Sequence, residues 1–303
     1  MNLLRRLCIV FCFVTPALFA AESAPQLHQP TSCVASGSWL VPGAPGSVAE
    51  ISVSETSVLA QASSSRVVLL GEHHDNQAHH LWQLQMLQKL HQRQPDLVMG
   101  LEMLPRVVQP EIDRYLRGEN SIEAFLEAVE WERHWSFSAD YYTPLLEYAR
   151  EQKIAVRALN VARASVDAAV AQGWDAAPPG MTQPAAATRP YLRHLVMSFQ
   201  RHKLPGAKLD MAVEGPAFRR FVQKQLLWDR AMAEGIGAQL SSAQPPPLVV
   251  AFIGSGHLMH GYGVPHQLQA MVIESVMTMI PWDSHLDCGV LVAGFADVVY
   301  GAE

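Results

Sequence analysis

The chain contains four short apolar runs, and each of them ends in a glycine or a polar side chain. The runs are residues 67–70, 97–101, 154–159 and 248–253. Runs of this length, rich in branched side chains, are typical of strands buried on both faces. Helical patterns separate them, and strands that alternate with helices indicate a parallel sheet. Further candidate strands lie near residues 270–276, 289–292 and 297–300. The sequence therefore predicts an α/β fold, with a mostly parallel β-sheet flanked by helices.

A smaller helical layer is predicted beside this sheet. Two helical segments, at about residues 105–150 and 190–240, are expected to form a cap subdomain over the active edge of the sheet. Residues 47–303 are thus predicted to form one α/β domain that carries this cap. Residues 21–46 are rich in Ser, Pro, Gly and Ala, which predicts a flexible N-terminal segment, and Trp39 is its expected point of attachment.

The first twenty residues have the three parts of a secretory signal. Arg5 and Arg6 form a charged start, residues 7–14 an apolar core, and residues 16–21 a zone of mostly small side chains suited to cleavage. No later stretch reaches the roughly 18 uninterrupted apolar residues that a spanning helix requires. We therefore expect residues 1–20 to be a signal peptide and the remaining chain to be secreted across the inner membrane.

The charge balance argues against a nucleic-acid partner. The 303 residues include 22 basic and 28 acidic side chains, a formal net charge of −6, and no long basic run. Proteins that bind nucleic acid depend on clustered basic side chains to contact phosphates. No nucleic-acid partner is expected.

Two of the four cysteines remain when the leader is removed. Cys8 and Cys12 lie in the leader, and Cys33 and Cys288 lie outside it. In an oxidising compartment these two form either a disulfide or two unpaired thiols, and the sequence favours neither. Residues 30–32 lack the small-residue pattern that precedes a lipid-attachment cysteine.

Polar side chains follow the predicted strands at the point where each strand ends. They are Glu72, His73, His74, Glu102, Asn160 and His257. The carboxyl ends of neighbouring parallel strands lie at one edge of the sheet, where open α/β sheets bind their ligands. Imidazole and carboxylate groups together are typical of a transition-metal site or of a general acid/base pair. We expect these side chains to meet at one edge.

A second motif lies in the helix predicted at residues 216–240. Trp228, Asp229 and Arg230 follow each other in an otherwise apolar pattern, so the carboxylate of Asp229 needs a cationic partner. Either it orients one of the strand-end histidines, or it forms a salt bridge within the cap. His79 and His80, in the first turn of another predicted helix, belong either to the site or to the surface.

The order of these motifs resembles a known family. Residues 71–74 and 254–257 are similar to the paired Gly-x-x-His motifs of the Tiki/TraB-like superfamily. The wider pattern resembles its ChaN branch, the haem-binding uptake lipoproteins of bacteria. Supporting motifs lie at residues 75–80, 100–103, 142–150, 159–160, 225–233, 261–265 and 296–297. The resemblance covers roughly residues 38–300.

The resemblance implies an envelope protein that binds haem and takes part in haem and iron uptake. Its expected place is the periplasm or the periplasmic face of the outer membrane. Its expected partners are haem, haem-uptake components of the envelope, and a second copy of the chain in a homodimer. The lipoprotein anchor of the family is not matched here, because no cysteine follows a suitable attachment pattern.

Haem binding requires an apolar slot, an axial ligand and usually a cation near the propionates. The candidate haem-binding residues are His73, His74, Tyr142, Asn160, Trp228, Asp229, Arg230 and His257. Further candidates are Tyr141, Tyr262, His134 and His202 as iron ligands, and Arg219 and Arg220 as cations. The chain has no Cys-x-x-Cys-His motif, so covalent attachment of haem is not expected.

A different class of function stays open at the same residues. Other branches of the superfamily, including the erythromycin-esterase-like proteins, are believed to be hydrolases. On this alternative His74, His257, Glu72 and Glu102 bind a divalent transition metal, or act as catalytic groups on an ester or peptide. A third interpretation is a structural envelope protein whose polar edge carries no activity.

Overall fold

The computed structural model describes residues 33–43, 51–201 and 215–302. The predicted signal peptide, the first part of the predicted N-terminal segment, and His202 lie outside the described residues. Within those residues, no helix combines the length and the apolar character needed to cross a membrane.

The described residues contain one eight-stranded sheet. Its strands are β1 (Trp39–Val41), β2 (Ile51–Val53), β3 (Val67–Glu72), β4 (Leu97–Pro105), β5 (Ala155–Asn160), β6 (Leu248–Gly254), β7 (Val276–Asp283) and β8 (Val298–Ala302). The order is β2-β1-β8-β7-β3-β6-β4-β5. The pairs from β8 to β5 are parallel, and β1 is antiparallel to both of its neighbours. The predicted fold class is confirmed.

The four strands predicted from the apolar runs are neighbours in this sheet. They are β3, β6, β4 and β5, in that spatial order. In the parallel register Glu72 of β3 lies opposite Gly254 of β6, and Leu101 of β4 lies opposite Phe252. Because the strands run in the same direction, the polar residues that follow them lie at one edge.

Ten α-helices flank the sheet. They are α1 (Glu55–Ser64), α2 (Gln77–Arg93), α3 (Gln109–Leu116), α4 (Ile122–Ala128), α5 (Trp131–His134), α6 (Thr143–Glu151), α7 (Arg163–Gln172), α8 (Arg189–Arg201), α9 (Pro216–Leu240) and α10 (Val264–Ala270) in the described residues. Along β3, Val68 and Leu70 join the core on the side of helices α1 to α6, whereas Val67 and Leu69 join the core beneath α9 and α10. This alternation follows from the period-two geometry of a strand and separates two apolar layers.

Helix α9 links the sheet to a separate helical pair. Met232 and Ile236, in its second half, belong to the core against the sheet. Gly235 permits this close approach, because a Cβ there would lie 3.1 Å from the backbone of Leu159 in β5. In its first half, Phe218 packs with Tyr191 and Leu195 of α8 in a small cluster of their own. The α8–α9 pair thus stands beside the edge where the parallel strands end.

Two of the further candidate strands were wrong. Residues 271–275 lie between α10 and β7, and residues 289–292 overlap a single 3-10 turn. Strand β7 was not predicted beyond its first residue. All but the first residue of β7 are buried, and Pro281 pairs with Tyr300 of β8.

Two features attach the N-terminal part of the described chain to the domain. Trp39 is buried, and its ring lies 4.9 Å from that of Tyr300 and 6.1 Å from that of Trp82. Cys33 and Cys288 form a disulfide, with their Cα atoms 5.7 Å apart. Of the two alternatives left open by the sequence, the structure shows the disulfide.

Candidate functional site

The first half of the site is a hydrogen-bonded group at the end of β3. Glu72 is buried, and its Oε1 accepts a hydrogen bond from Nδ1 of His74 at 2.8 Å and another from the hydroxyl of Tyr142 at 2.7 Å. The ring of His74 packs edge-on against Trp135, with centroids 4.7 Å apart, and at a tilt against Phe137, with centroids 4.9 Å apart. Glu72 therefore fixes the orientation of His74.

The charges of this group are set by burial and by its hydrogen bonds. Burial alone would raise the pKa of Glu72, but the hydrogen bond from His74 and the charges of His80 and His74 lower it below its usual value. Burial would likewise lower the pKa of His74, but the bond to Glu72 and the charge of Glu102 raise it. Both shifts favour the charged pair, a carboxylate on Glu72 and an imidazolium on His74.

The second half repeats this arrangement on the other side of the edge. Asp229 of α9 is fully buried, and its Oδ1 lies 2.6 Å from Nδ1 of His257. The hydroxyl of Tyr191 donates to Oδ2 of Asp229 at 2.7 Å. Burial would lower the pKa of His257, but the charges of Asp229 and Glu102 raise it to about 9. His257 is therefore protonated at neutral pH.

Glu102 joins the two halves. Its Oε2 accepts the backbone N–H of Gly254 at 2.6 Å, and its Oε1 lies 3.6 Å from Nε2 of His257. The ring of His74 lies directly over Gly254, where a Cβ would be 2.5 Å from Cε1. The structure thus brings Glu72, His74, Glu102 and His257 to one place, as expected from the ends of their strands.

Substitution of Gly254 by alanine tests this packing. The added Cβ would lie 2.5 Å from Cε1 and 2.9 Å from Nε2 of His74, so the ring must move away from residue 254. We expect the free energy of unfolding, measured by urea denaturation, to fall by about 1–3 kcal/mol. Gly256→Ala is the matched control, because a Cβ at Gly256 meets no atom within 4 Å. Equal losses in the two variants would contradict the described position of His74.

A cleft of about 370 Å³ opens above these residues. Its polar side consists of Glu72, His73, His74, Gly254 and His257, with Ser255, Gly256 and Asp75 beside them. Its other side is formed by Phe137, by Leu195 of α8, by Phe221 of α9 and by Met259, together with the polar residues His194, Ser198 and Gln225. The cleft therefore offers a ligand one charged wall and one wall of mixed apolar and polar side chains.

A further group of histidines lies at the rim of the cleft. Nδ1 of His73 is 3.0 Å from Oδ2 of Asp283, and Nε2 of His79 is 3.0 Å from Oδ1 of the same carboxylate. Among the described residues, these three are the group of His, Cys, Asp and Glu whose possible ligand atoms all lie within 4.8 Å of one another. The metal set predicted from the sequence, Glu72, His74, Glu102 and His257, is instead arranged as hydrogen-bonded pairs.

Several predicted site residues lie away from the cleft. The side chain of Asn160 accepts from the backbone of Val161, and Trp228 is packed among apolar side chains. Arg230 forms an ion pair with Glu234 at 3.1 Å and contacts Thr182, so its charge is already neutralised. These three do not line the cleft.

Two tyrosines that were predicted to bind haem do not line the cleft. Tyr142 is fully buried and donates its hydroxyl to Glu72. Burial and the charge of Glu72 raise the pKa of this hydroxyl, so the phenol keeps its proton in the hydrogen bond to Glu72. The ring of Tyr141 stacks on His80 at 5.0 Å.

Other participants were not predicted. Tyr191, which holds Asp229, lies in a helix whose pattern signals only an apolar face, and Asp283 ends the strand that was missed. His79 and His80 are both buried, so the alternative of surface histidines was wrong for this pair. The side chain of Asn76 caps α2 by accepting from the N–H of Ala78 at 2.9 Å, which fixes where the first turn of that helix begins.

A known protein family matches most of this chain. The family model described as "Haem-binding uptake, Tiki superfamily, ChaN" matches residues 58–268. The chain belongs to this family. The match includes Glu72, His74, Glu102 and Asp229, and it extends through His257. A comparison with curated protein sequences gives no significant match.

Three solved structures show similarity to this chain, and the first of them shares its fold. ChaN of Campylobacter jejuni, described as binding haem cofacially, is 16% identical and has a TM-score of 0.68, covering 86% of this chain and 95% of that chain. The C-terminal region of Pasteurella multocida toxin is 14% identical, with a TM-score of 0.44 over 76% of this chain and 25% of that one. An erythromycin esterase mutant, EreC, is 13% identical, with a TM-score of 0.45 over 81% and 77%.

Proposed function

We propose that this chain binds haem in the cleft and takes part in haem and iron uptake in the bacterial envelope. The observation that carries the proposal is the cleft itself, which is lined both by apolar side chains and by His74 and His257, two histidines whose pKa is raised. The family to which the chain belongs is described as haem-binding. The similar ChaN structure is described by its cofacial haem binding.

The residues of the cleft fit the chemistry of haem. Phe137, Leu195 and Phe221 offer apolar surface to the porphyrin ring. His74 and His257, whose pKa is raised, offer positive charge to the propionates, a part for which Arg219, Arg220 and Arg230 were the predicted candidates. Histidine side chains in the same cleft supply a nitrogen that can bind iron.

The hydrolase alternative is less well supported. A general base must be able to accept a proton at the working pH. The pKa of His257 is raised to about 9 by Asp229 and Glu102, against the effect of burial, so this imidazole already carries its proton at neutral pH. The family match does not favour a hydrolase either.

The place of action is part of the proposal. We infer that the chain works outside the cytoplasm, in the periplasm or at the periplasmic face of the outer membrane. The Cys33–Cys288 disulfide supports this place, since disulfides persist in oxidising compartments. Haem-uptake components of the envelope and a second copy of the chain are the proposed partners.

A haem titration tests the proposal. Purified protein without the predicted leader is expected to give a shifted, saturable Soret band at about one haem per chain. Phe221→Ala removes apolar surface from the cleft and should weaken haem binding about tenfold or more. Phe199→Ala is the control, because Phe199 packs in the same small cluster but does not line the cleft. A spectrum without a Soret shift, or equal affinities of the two variants, would reject haem binding in this cleft.

A further inference from the structure

The positive charge of this chain is concentrated in one stretch. Residues 189–228 contain eight basic and two acidic side chains, a formal charge of +6. The whole chain has a formal charge of −6, so all other residues together carry −12. The basic stretch supplies helix α8 and the first half of helix α9. A positive region of this kind in an acidic protein indicates a negatively charged partner.

Helix α8 has a basic outer face. Arg189 and Arg193 are exposed and lie four residues apart, so they share one face of the helix with Met197, four residues further on. Met197 is 53% exposed. Tyr191 and Leu195, on the inner face, are buried against α9. The outer face of α8 thus carries two cations in line with one large apolar side chain.

The first half of helix α9 adds two more cations. Arg219 and Arg220 are exposed, and neither of them lines the cleft. The described residues of α8, and those of α9 that precede Asp229, contain no acidic side chain. We use the name basic surface for the exposed residues Arg189, Arg193, Arg219, Arg220 and Met197.

Exposed arginines elsewhere in the fold are paired. Three of them, between α3 and α5, each form an ion pair with a glutamate close in the sequence: Arg114, Arg117 and Arg133. In the part of the chain that the structure describes, Arg189, Arg193 and Arg220 form no ion pair. The charge of these three side chains is therefore directed to the solvent, or to a partner that docks there.

From these observations we propose that the basic surface docks on a bilayer that contains anionic phospholipids. Guanidinium groups donate hydrogen bonds to phosphate oxygens, often two at a time. Each basic side chain held near an anionic bilayer strengthens the association about fivefold, within the distance set by screening. Met197, in line with Arg189 and Arg193, can enter the boundary between headgroups and acyl chains.

The composition of the basic surface favours a bilayer over an acidic protein. Stable protein interfaces are built around a core of aromatic and apolar side chains that become fully buried. Among the described residues of α8 and α9, Met197 is the large apolar side chain that is mainly exposed. Several arginines around one flexible apolar side chain suit the headgroup layer, where apolar atoms enter only to a shallow depth.

Docking by this surface would bring the cleft to the membrane. Leu195 and Phe221 line the cleft from the same two helices that carry the basic surface. The inference does not depend on the proposed haem function, because the docking is measured without haem. Either proposal can therefore fail while the other stands.

Sedimentation with vesicles tests the docking. Purified protein without the predicted leader is mixed with vesicles made of equal parts of phosphatidylglycerol and phosphatidylcholine, and separately with vesicles of phosphatidylcholine alone. We expect the protein to sediment with the anionic vesicles at low ionic strength and to be released at about 0.5 M salt, where screening is strong. Equal binding to both kinds of vesicle would overturn the inference.

A pair of triple variants locates the contact. Arg189→Gln/Arg193→Gln/Arg220→Gln should weaken binding to the anionic vesicles about 100-fold, since three contacts are lost. Arg114→Gln/Arg117→Gln/Arg133→Gln is the matched control, because it removes the same number of charges from exposed, paired sites. Its affinity should stay within about threefold of wild type. Equal losses in the two variants would mean that net charge alone, and not the basic surface, governs binding.

Two further measurements complete the test. Met197→Ser should weaken vesicle binding several-fold while leaving its salt dependence unchanged, because it removes apolar contact and no charge. Circular dichroism checks that each variant is folded, and the comparison of the two vesicle types with wild type holds even if a variant is not. Polyglutamate provides the alternative partner. Protein that binds polyglutamate but not anionic vesicles would overturn the lipid assignment in favour of an acidic protein.

Discussion

Replacement of Asp229 by asparagine is expected to lower the free energy of unfolding by about 3–5 kcal/mol at neutral pH. Asp229 is fully buried and bonds both His257 and Tyr191. The neutral amide leaves the imidazolium of His257 without its closest negative charge. Urea denaturation measures the loss. Asp167→Asn is the control, because the side chain of Asp167 is about half exposed and pairs with Lys224, so its change should stay within about 1 kcal/mol.

The effect of Asp229→Asn should depend on pH in a defined direction. The pKa of His257 is raised from 6.5 to about 9 because the charges of Asp229 and Glu102 outweigh burial. Because the pKa of His257 is higher in the folded state, its protonation stabilises the folded state. This stabilisation is fully present below about pH 6.5 and is lost as the pH rises through 9. The difference between wild type and variant should therefore be largest near pH 6 and smaller near pH 9.5. A difference that grows with pH would contradict the assigned charges.

The part of the site that could be predicted follows from the strands. Apolar runs identified β3, β4, β5 and β6, and their parallel arrangement placed Glu72, Glu102 and His257 at one edge. Only backbone direction and register were needed for this step. Asn160 ends its strand in the same way but turns back to the backbone of Val161, so position at the edge does not ensure access to the cleft.

The part that could not be predicted depends on tertiary contacts between distant residues. A buried charge is costly, so the sequence already indicated that Asp229 has a partner. Whether that partner is His257 or a basic residue of the cap depends on how α9 packs on the sheet. Asp283 reaches His79 across 204 residues, and no local pattern signals that contact. Arg230, one position along from Asp229, points to Glu234 instead, because adjacent residues face different sides of a helix.

Loss of the Cys33–Cys288 disulfide is expected to destabilise the folded state by about 2–5 kcal/mol. The bond joins residues 255 positions apart, so in the unfolded chain it closes a very long loop and removes much of its conformational freedom. Cys33 also lies beside the apolar cluster that contains Val34 and Val299. The double variant Cys33→Ser/Cys288→Ser should therefore unfold at a lower urea concentration than the oxidised wild type.

Reduction of the wild-type protein provides the matched comparison. It breaks the same bond but leaves both sulfur atoms in place, so any difference from the double variant reports packing of the thiols alone. We expect the reduced wild type and the double variant to have similar free energies of unfolding, both well below that of the oxidised protein. If the double variant is as stable as the oxidised protein, the bond does not contribute to stability. The folded domain would then hold the segment around Trp39 by the packing of that ring against Trp82 and Tyr300.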